Sequence, residues 1–245
     1  LTMGLCGDIK TTLNALLPLL EAKYDKSFLN DQLLGHRKVL AHLSAYVEDK
    51  GSDNKIHPEY VMAMINEVAN NDTIFTVDTG MTCVWGARYL QASGQRKMLG
   101  SFNHGSMANA MPQAIGAALA YPQRQVIALC GDGGISMLLG DLATVVEYEL
   151  PVKVIVFNNR SLGMVKLEME VDGLSDNETD MYNPDFSLVA KAMGIKGRTV
   201  SRPDDVLPAL IDALNTPEPE LLNIMTDPNA LAMPPEIELD QMTGF

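Results

Sequence analysis

The fold is decided by the stretch Gln125-Val-Ile-Ala-Leu-Cys-Gly-Asp-Gly-Gly134. Its first half is a short apolar run, which is typical of a strand buried on both faces of a parallel sheet. The glycines of its second half let backbone N–H groups at the start of a following helix approach an anion closely. A second apolar strand, residues 152–157, ends on the pair Asn158-Asn159. Together, the two strand ends predict one ligand site at the carboxyl edge of a parallel sheet.

Strand and helix patterns alternate on both sides of this stretch. Strands are predicted over residues 73–77, 125–129, 152–157, 197–200 and 221–225, and helices over residues 58–70, 111–120, 136–149, 186–193 and 203–214. This alternation is typical of an α/β protein in which helices flank both faces of a doubly wound parallel sheet. Helical spacing is also present at residues 9–20 and 31–47, and the polar segment 48–55 predicts a linker.

The chain is long enough for one domain and part of another. We expect residues 1–33 to be the C-terminal end of a preceding domain and residues 34–229 to form the ligand-binding domain. Residues 230–245 would then be a C-terminal extension. Because the chain begins with Leu1 rather than Met, we expect it to be a fragment or a partly ordered chain.

Composition narrows the classes of function. Hydrophobic residues make up 47% of the chain and charged residues 20%, which is typical of a globular protein. The net charge of −13 disfavours nucleic acid as a partner, since binding to phosphates needs clustered Lys and Arg. Three widely separated cysteines predict neither a disulfide framework nor a zinc site. We expect these cysteines to be reduced and the protein to be cytoplasmic. No apolar run reaches the roughly 18 residues of a membrane span.

The residues at the strand ends suit a divalent cation. Asp132 offers a carboxylate oxygen, Asn159 an amide oxygen and Ser161 a backbone carbonyl, all of them hard ligands of the kind that octahedral Mg²⁺ prefers. Diphosphate oxygens and water would complete the coordination. Asp78 also follows a predicted strand, and it could either face the same ligand or serve as a capping residue.

At this point the sequence resembles a known family. Gly131-Asp132-Gly133 followed by Asn158-Asn159 is similar to the thiamine diphosphate-binding motif. The longer runs 99–113, 150–159 and 231–236 resemble the flavin-containing pyruvate dehydrogenase (quinone), or pyruvate oxidase, of bacteria. This similarity extends over nearly the whole chain, and it implies that residues 1–33 end a flavin-binding domain.

The resemblance implies roles for individual residues. Met107 would prop the cofactor into its bent shape, although methionine at such a position is otherwise most often a core residue. The carbonyl of Gly105 would hold the aminopyrimidine amine, and Met164 falls where relatives have a mobile Phe in the active site. The implied metal ligands are Asp132, Asn159 and Ser161. The implied cofactor-binding residues are Gly105, Ser106, Met107, Asp132, Gly133, Gly134, Asn159, Arg160, Ser161, Leu162, Gly163, Met164 and Val165.

The resemblance also implies an activity. Pyruvate would be oxidatively decarboxylated to acetate and carbon dioxide with thiamine diphosphate, Mg²⁺ and FAD, and the electrons would pass to a quinone or to oxygen. FAD would bind mainly outside this chain, and a glutamate from a neighbouring subunit would complete the active site of a homotetramer. A membrane-binding tail outside this chain would give peripheral contact with the inner face of the cell membrane. We expect the fragment alone to be inactive.

Two other functions remain open. The first is an acetolactate synthase-type carboligase of the same superfamily, which shares the metal motif. The second is a thiamine diphosphate-binding module without turnover.

Overall fold

The computed structural model describes residues 4–52 and 54–231, so the similar run 231–236 and the predicted extension 230–245 lie mostly outside the described residues. The chain divides into two compact units, Leu1–His42 and Leu43–Phe245. The predicted boundary between residues 33 and 34 stays a prediction.

The first unit contains helical segments. Helix α1 (Ile9–Leu16) begins after its N-cap Asp8, whose side chain accepts a hydrogen bond from the Thr11 N–H at 2.8 Å. The helix ends before the predicted residue 20, because Pro18 lacks the N–H that a continuing helix needs, and a 3₁₀ turn (Leu17–Leu19) follows. Helix α2 (Ser27–Glu48) runs from this unit into the next.

The second unit is built on a six-stranded, fully parallel sheet with the strand order β4-β3-β5-β6-β8-β7. Its strands are β3 (Ile74–Val77), β4 (Lys97–Gly100), β5 (Val126–Gly131), β6 (Val152–Asn158), β7 (Lys196–Val200) and β8 (Glu220–Met225). Its remaining helices are α3 (Pro58–Val68), α4 (Met81–Tyr89), α5 (Ala110–Ala120), α6 (Asp132–Met137), α7 (Asp141–Glu147), α8 (Gly163–Val171), α9 (Phe186–Ala192) and α10 (Pro203–Leu214). A two-stranded hairpin, β1 (Gly51–Ser52) and β2 (Lys55–Ile56), replaces the predicted linker.

Helices cover both faces of this sheet. In β5, Ile127 and Leu129 point into a core formed with α3, α4, α8 and α10. The intervening Val126, Ala128 and Cys130 point into a second core formed with α5, α6, α7 and α9. This alternation confirms the doubly wound parallel sheet. None of the helices within the described residues combines the length and the apolar character needed to cross a bilayer.

The prediction of a single helix over residues 136–149 was wrong. The backbone leaves the helical region at Leu138 (φ −129°, ψ 38°), so α6 ends there and α7 starts after Gly140. Three elements, β4, α4 and α8, were absent from the predicted set. β4 is an edge strand whose residues are mostly exposed, so it lacks the apolar run by which a buried strand is recognised.

The direction of chain travel marks a crevice. From β3 the chain crosses to β4 at one edge, whereas from β5 it continues through β6 toward the other edge. The topological switch point therefore lies between β3 and β5, and in open α/β sheets ligands bind at such points beyond the carboxyl ends of the strands.

Gly197 in β7 allows a test of how closely α9 packs on the sheet. A methyl group at Gly197 would overlap the backbone carbonyl of Ser187 in α9. Gly197→Ala is therefore expected to lower the free energy of unfolding by about 1–3 kcal/mol, the usual cost of overpacking. Gly116→Ala is the matched control, because its methyl group would meet open space inside α5 and should stabilise by about 0.5–1 kcal/mol. Urea denaturation measures both changes, and equal values for the two variants would contradict this packing.

Candidate functional site

A pocket with an empty volume of about 540 Å³ lies at this switch point. Its wall comes from the segments that follow β3, β4, β5, β6 and β8. The lining residues are Thr79, Gly80, Met81, Thr82, Trp85, Met107, Gly131, Asp132, Gly133, Gly134, Phe157, Asn159, Ser161, Leu162, Gly163, Met164, Val165 and Thr226.

Three helices begin at this pocket. The residues that precede α4, α6 and α8 are Gly80, Gly131 and Leu162, and none of them caps its helix with a side-chain hydrogen bond. The first N–H groups of a helix lack intrahelical partners, and the helix dipole adds partial positive charge at the same end. Three such ends on one pocket suit an anion with several charged oxygens. The sequence predicted only the contribution of α6.

Asp132 is the carboxylate at the centre of the pocket wall. It is only 3% exposed, and burial raises the pKa of its carboxyl group, although hydrogen bonds from Asn183 and from the backbone of Gly133 and Arg160 oppose this rise. Its Oδ1 accepts the Gly133 N–H at 2.9 Å. Its Oδ2 accepts the Arg160 N–H at 2.7 Å and the Asn183 amide at 2.8 Å.

The paired asparagines point in different directions. Asn159 lines the pocket, and its Oδ1 accepts the Ser161 N–H at 3.0 Å in a tight turn. Asn158 is 2% exposed, and it faces the sheet interior, where its side-chain amide donates to Asn223 at 3.0 Å. Only Asn159 is therefore placed to meet a ligand.

The oxygens of the pocket match the donor chemistry of a hard cation. The described part of the chain holds no cluster of three or more His, Cys, Asp or Glu side chains that could hold a metal ion. A cation here would thus depend on Asp132 together with amide and carbonyl oxygens, as Mg²⁺ bound to a diphosphate often does. The hydroxyl of Ser161 is buried, and no hydrogen-bond partner for it occurs among the described residues. The assignment of Asp132, Asn159 and Ser161 as metal ligands stays a prediction.

Met107 is not a core residue. It is 39% exposed and lines the pocket, and its Cε lies 3.2 Å from the position that a Cβ on Gly133 would take. Of the other predicted residues, Gly105, Ser106 and Arg160 do not line the pocket. Gly105 has a left-handed backbone (φ 71°), and its N–H donates to the Ser101 carbonyl at 2.7 Å, which turns the loop before Met107.

Asp78 does not line the pocket but lies against Gly134, which does. Its Oδ1 accepts the Ala110 N–H at 2.9 Å, whereas its buried Oδ2 has no partner within the described chain. A methyl group on Gly134 would overlap this Oδ2, so Gly134 is needed for close packing against Asp78. Burial raises the pKa of Asp78 to about 6. The hydrogen bond from Ala110 agrees with the alternative that Asp78 is a capping residue, because this bond joins the end of β3 to the start of α5.

The apolar pocket residues Trp85 and Phe157 were not among the predicted site residues. Trp85 of α4 is 2% exposed, and its ring stacks on Phe157 with the centroids 5.8 Å apart. Its Nε1 donates to Glu59 at 3.1 Å. Thr226 follows β8, and its buried hydroxyl has no partner among the described residues. The position after a strand was the one signal that could have identified Thr226.

The fold is a doubly wound α/β domain with a pocket at its switch point, and comparison with known proteins gives its family. Residues 78–224 match the thiamine pyrophosphate enzyme, C-terminal TPP binding domain family. The chain belongs to this family, and thiamine pyrophosphate is another name for thiamine diphosphate. It is therefore a cofactor-binding domain of the thiamine diphosphate-dependent enzymes.

Individual relatives are similar over most of the chain. The Bacillus subtilis protein YdaP, named as thiamine pyrophosphate-containing, is 34% identical over all of this chain and 42% of its own length. Acetolactate synthase 1 of Nicotiana tabacum is 32% identical over 91% of this chain and 35% of its own length. The structure of a Rhodococcus jostii thiamine diphosphate-dependent 4-hydroxybenzoylformate decarboxylase aligns with a TM-score of 0.67 and 26% identity, over 74% of this chain and 34% of that one. The chain thus spans about two fifths or less of the length of these relatives.

The buried Asp78 predicts a pH dependence. Its pKa is raised from 3.8 to about 6, so the folded protein holds this proton more tightly than the unfolded chain. The stability that this proton contributes is complete below about pH 4, and it is lost as pH rises through about 6. We expect Asp78→Asn to flatten this decline and to gain about 2–3 kcal/mol relative to wild type near neutral pH.

Denaturation across this pH range measures the effect. Asp205→Asn, at an exposed position of α10, is the control, and the stability profile of this variant should follow that of the wild type. If the Asp78→Asn profile declined as steeply as the wild-type profile, Asp78 would not be the titrating group.

Proposed function

We propose that this chain supplies the diphosphate- and metal-binding half of the active site of a thiamine diphosphate-dependent enzyme that acts on a 2-oxo acid. The observation that carries the proposal is the meeting of three helix N-termini with one buried carboxylate at a single pocket. The N–H groups offer partial positive charge to the diphosphate. The carboxylate offers an oxygen ligand to the cation that accompanies the diphosphate.

The proposed roles combine the geometry of the pocket with the roles that the family resemblance implies. The starts of α4, α6 and α8 hold the diphosphate, and Gly133 keeps the wall open, since a Cβ there would lie 3.0 Å from the Leu162 side chain. Asp132, the Asn159 amide oxygen and the Ser161 carbonyl hold Mg²⁺. Met107 supports the ring system of the cofactor, and the Gly105 carbonyl accepts its amine.

The chemistry of the reaction belongs mainly to the cofactor. When bound, thiamine diphosphate supplies the electron sink that allows a 2-oxo acid to lose carbon dioxide. This chain supplies an apolar surface that limits the access of water, from Trp85, Phe157 and Met164. A low local dielectric strengthens the electrostatic interactions made at the helix ends.

We favour carboligation of the acetolactate synthase type as the overall reaction, with pyruvate as the substrate. This choice is supported by relatives such as the Nicotiana tabacum acetolactate synthase, which align over nine tenths of the chain. Oxidation of pyruvate to acetate, with FAD and a quinone, is the second candidate, and the sequence runs 99–113 and 150–159 favour it. In either case the active site would be completed by another domain of a homo-oligomer.

The products separate the two reactions. Carboligation should release one carbon dioxide for every two pyruvate molecules consumed and form acetolactate, with no net reduction of an added electron acceptor. Oxidation should release one carbon dioxide per pyruvate, form acetate and reduce the acceptor. The assay requires the complete enzyme. Acetate formed together with reduced acceptor would overturn the carboligase proposal, and cofactor binding without turnover of pyruvate would favour a non-catalytic module.

The metal assignment has its own test in this chain. Trp85 is its single tryptophan and lines the pocket, so its fluorescence should report binding of thiamine diphosphate. We expect binding to require Mg²⁺, and Asp132→Ala to weaken it at least tenfold, because the helix N-termini alone do not replace a lost cation ligand. Asp205→Ala on the exposed surface of α10 is the control. Equal affinities of the Asp132→Ala variant and the wild type would remove Asp132 from the metal site.

A further inference from the structure

We infer that Asn183 is a positioning residue that holds one oxygen of Asp132 and so directs the other toward the cation. The inference deepens the proposed function and rests on it. Asn183 belongs to no recognised motif and precedes α9 in a loop far from Asp132 in sequence. Its amide nevertheless donates to Asp132 Oδ2 at 2.8 Å and to Asn158 Oδ1 at 2.9 Å.

The orientation of this amide is fixed by its partners. A carboxylate can only accept hydrogen bonds, so the Asn183 group that faces Asp132 has to be the NH₂ group. The orientation of the Asn158 amide is fixed as well. Its Oδ1 accepts the bond from Asn183, and its Nδ2 donates to Asn223 at 3.0 Å. Asn223 in turn donates to the Thr199 hydroxyl at 3.2 Å. Asn183 is therefore the donor in both of its contacts, and donation runs outward from it, directly to Asp132 on one side and through Asn158 and Asn223 to Thr199 on the other.

Hydrogen bonding makes the two oxygens of Asp132 unequal. Oδ2 accepts two N–H donors, from Asn183 and from the backbone of Arg160. Among the described residues, Oδ1 accepts a single hydrogen bond, from the N–H of the adjacent Gly133. A carboxylate oxygen has two lone pairs in the carboxylate plane, so Oδ2 is saturated whereas Oδ1 keeps one lone pair. Asp132 is thus prepared to bind a cation through Oδ1 alone.

The loop that carries Asn183 is pinned to the predicted metal loop. The Leu162 N–H donates to the Thr179 carbonyl, and the Met181 N–H donates to the Arg160 carbonyl, both at 2.8 Å. Asn183 therefore moves with the segment that bears Asn159 and Ser161. This link makes Asn183 suited to set the spacing between Asp132 and the other predicted ligands, as outer partners of metal ligands do.

Removal of the amide gives a direct test. The Asn183 Oδ1 is buried without a partner among the described residues, so an apolar side chain relieves one unsatisfied group and Asn183→Leu should still fold. The probe is Mn²⁺, titrated into the chain with thiamine diphosphate and followed by electron paramagnetic resonance. We expect Asn183→Leu to weaken Mn²⁺ binding roughly 10- to 100-fold. Asn183→Gln keeps an N–H donor and should lose less.

Thr199→Val is the matched control. It removes the far end of the same network but leaves the bond from Asn183 to Asp132 in place, so it should lower thermal stability without changing the Mn²⁺ affinity. Unchanged Mn²⁺ binding by Asn183→Leu would overturn the inference and leave the proposed function standing. An equal loss of Mn²⁺ affinity in Thr199→Val would also overturn the inference, because the loss would then reflect lower stability of the fold. If the wild type bound no Mn²⁺ with the cofactor, the proposed function would fail as well.

Discussion

The site depends on one buried carboxylate held at the end of a central strand. Asp132 follows β5, the strand beside the switch point, and three N–H donors surround it while burial raises its pKa. Burying a carboxylate costs free energy unless hydrogen bonds or a cation offset it. The N–H groups of Gly133 and Arg160 and the Asn183 amide offset part of that cost. A divalent cation would offset more, which links the folding of this edge to its ligand.

The surrounding architecture places positive potential around this carboxylate. Because all six strands are parallel, their carboxyl ends lie on one edge, and the helices that follow them begin on that edge. Three of these helices begin at the pocket, and none of them has a side-chain cap from the residue that precedes it. A single helix terminus attracts an anion weakly and is screened by salt. Several termini facing one pocket form a more selective site for a polyanion paired with a cation.

Much of this arrangement could be predicted from the sequence, and the limits have physical causes. The central strands β5 and β6 are fully buried, so their apolar runs gave both their positions and the parallel sheet. β4 lies at an exposed edge and carries no such run. The break at Leu138 depends on local backbone geometry that helical periodicity does not encode.

The site divides in the same way. Residues next to strand ends, such as Asp132 and Asn159, follow from topology, and both line the pocket. Asn183 is brought beside Asp132 by tertiary packing across many residues, so neither spacing nor composition marks it. Thr226 directly follows β8, and that position was the one signal that could have identified it. Gly134 was predicted for its approach to a diphosphate, yet its lack of a side chain is already required by the neighbouring Asp78 carboxylate.

The central claim is that the starts of α4, α6 and α8 form one diphosphate site. The most direct measurement is a titration of the isotopically labelled chain with inorganic diphosphate and Mg²⁺, followed by the backbone amide resonances of Met81, Gly133 and Gly163. The account predicts that all three resonances shift along one common binding curve. Resonances that stayed fixed at these helix starts while amides elsewhere moved would contradict it.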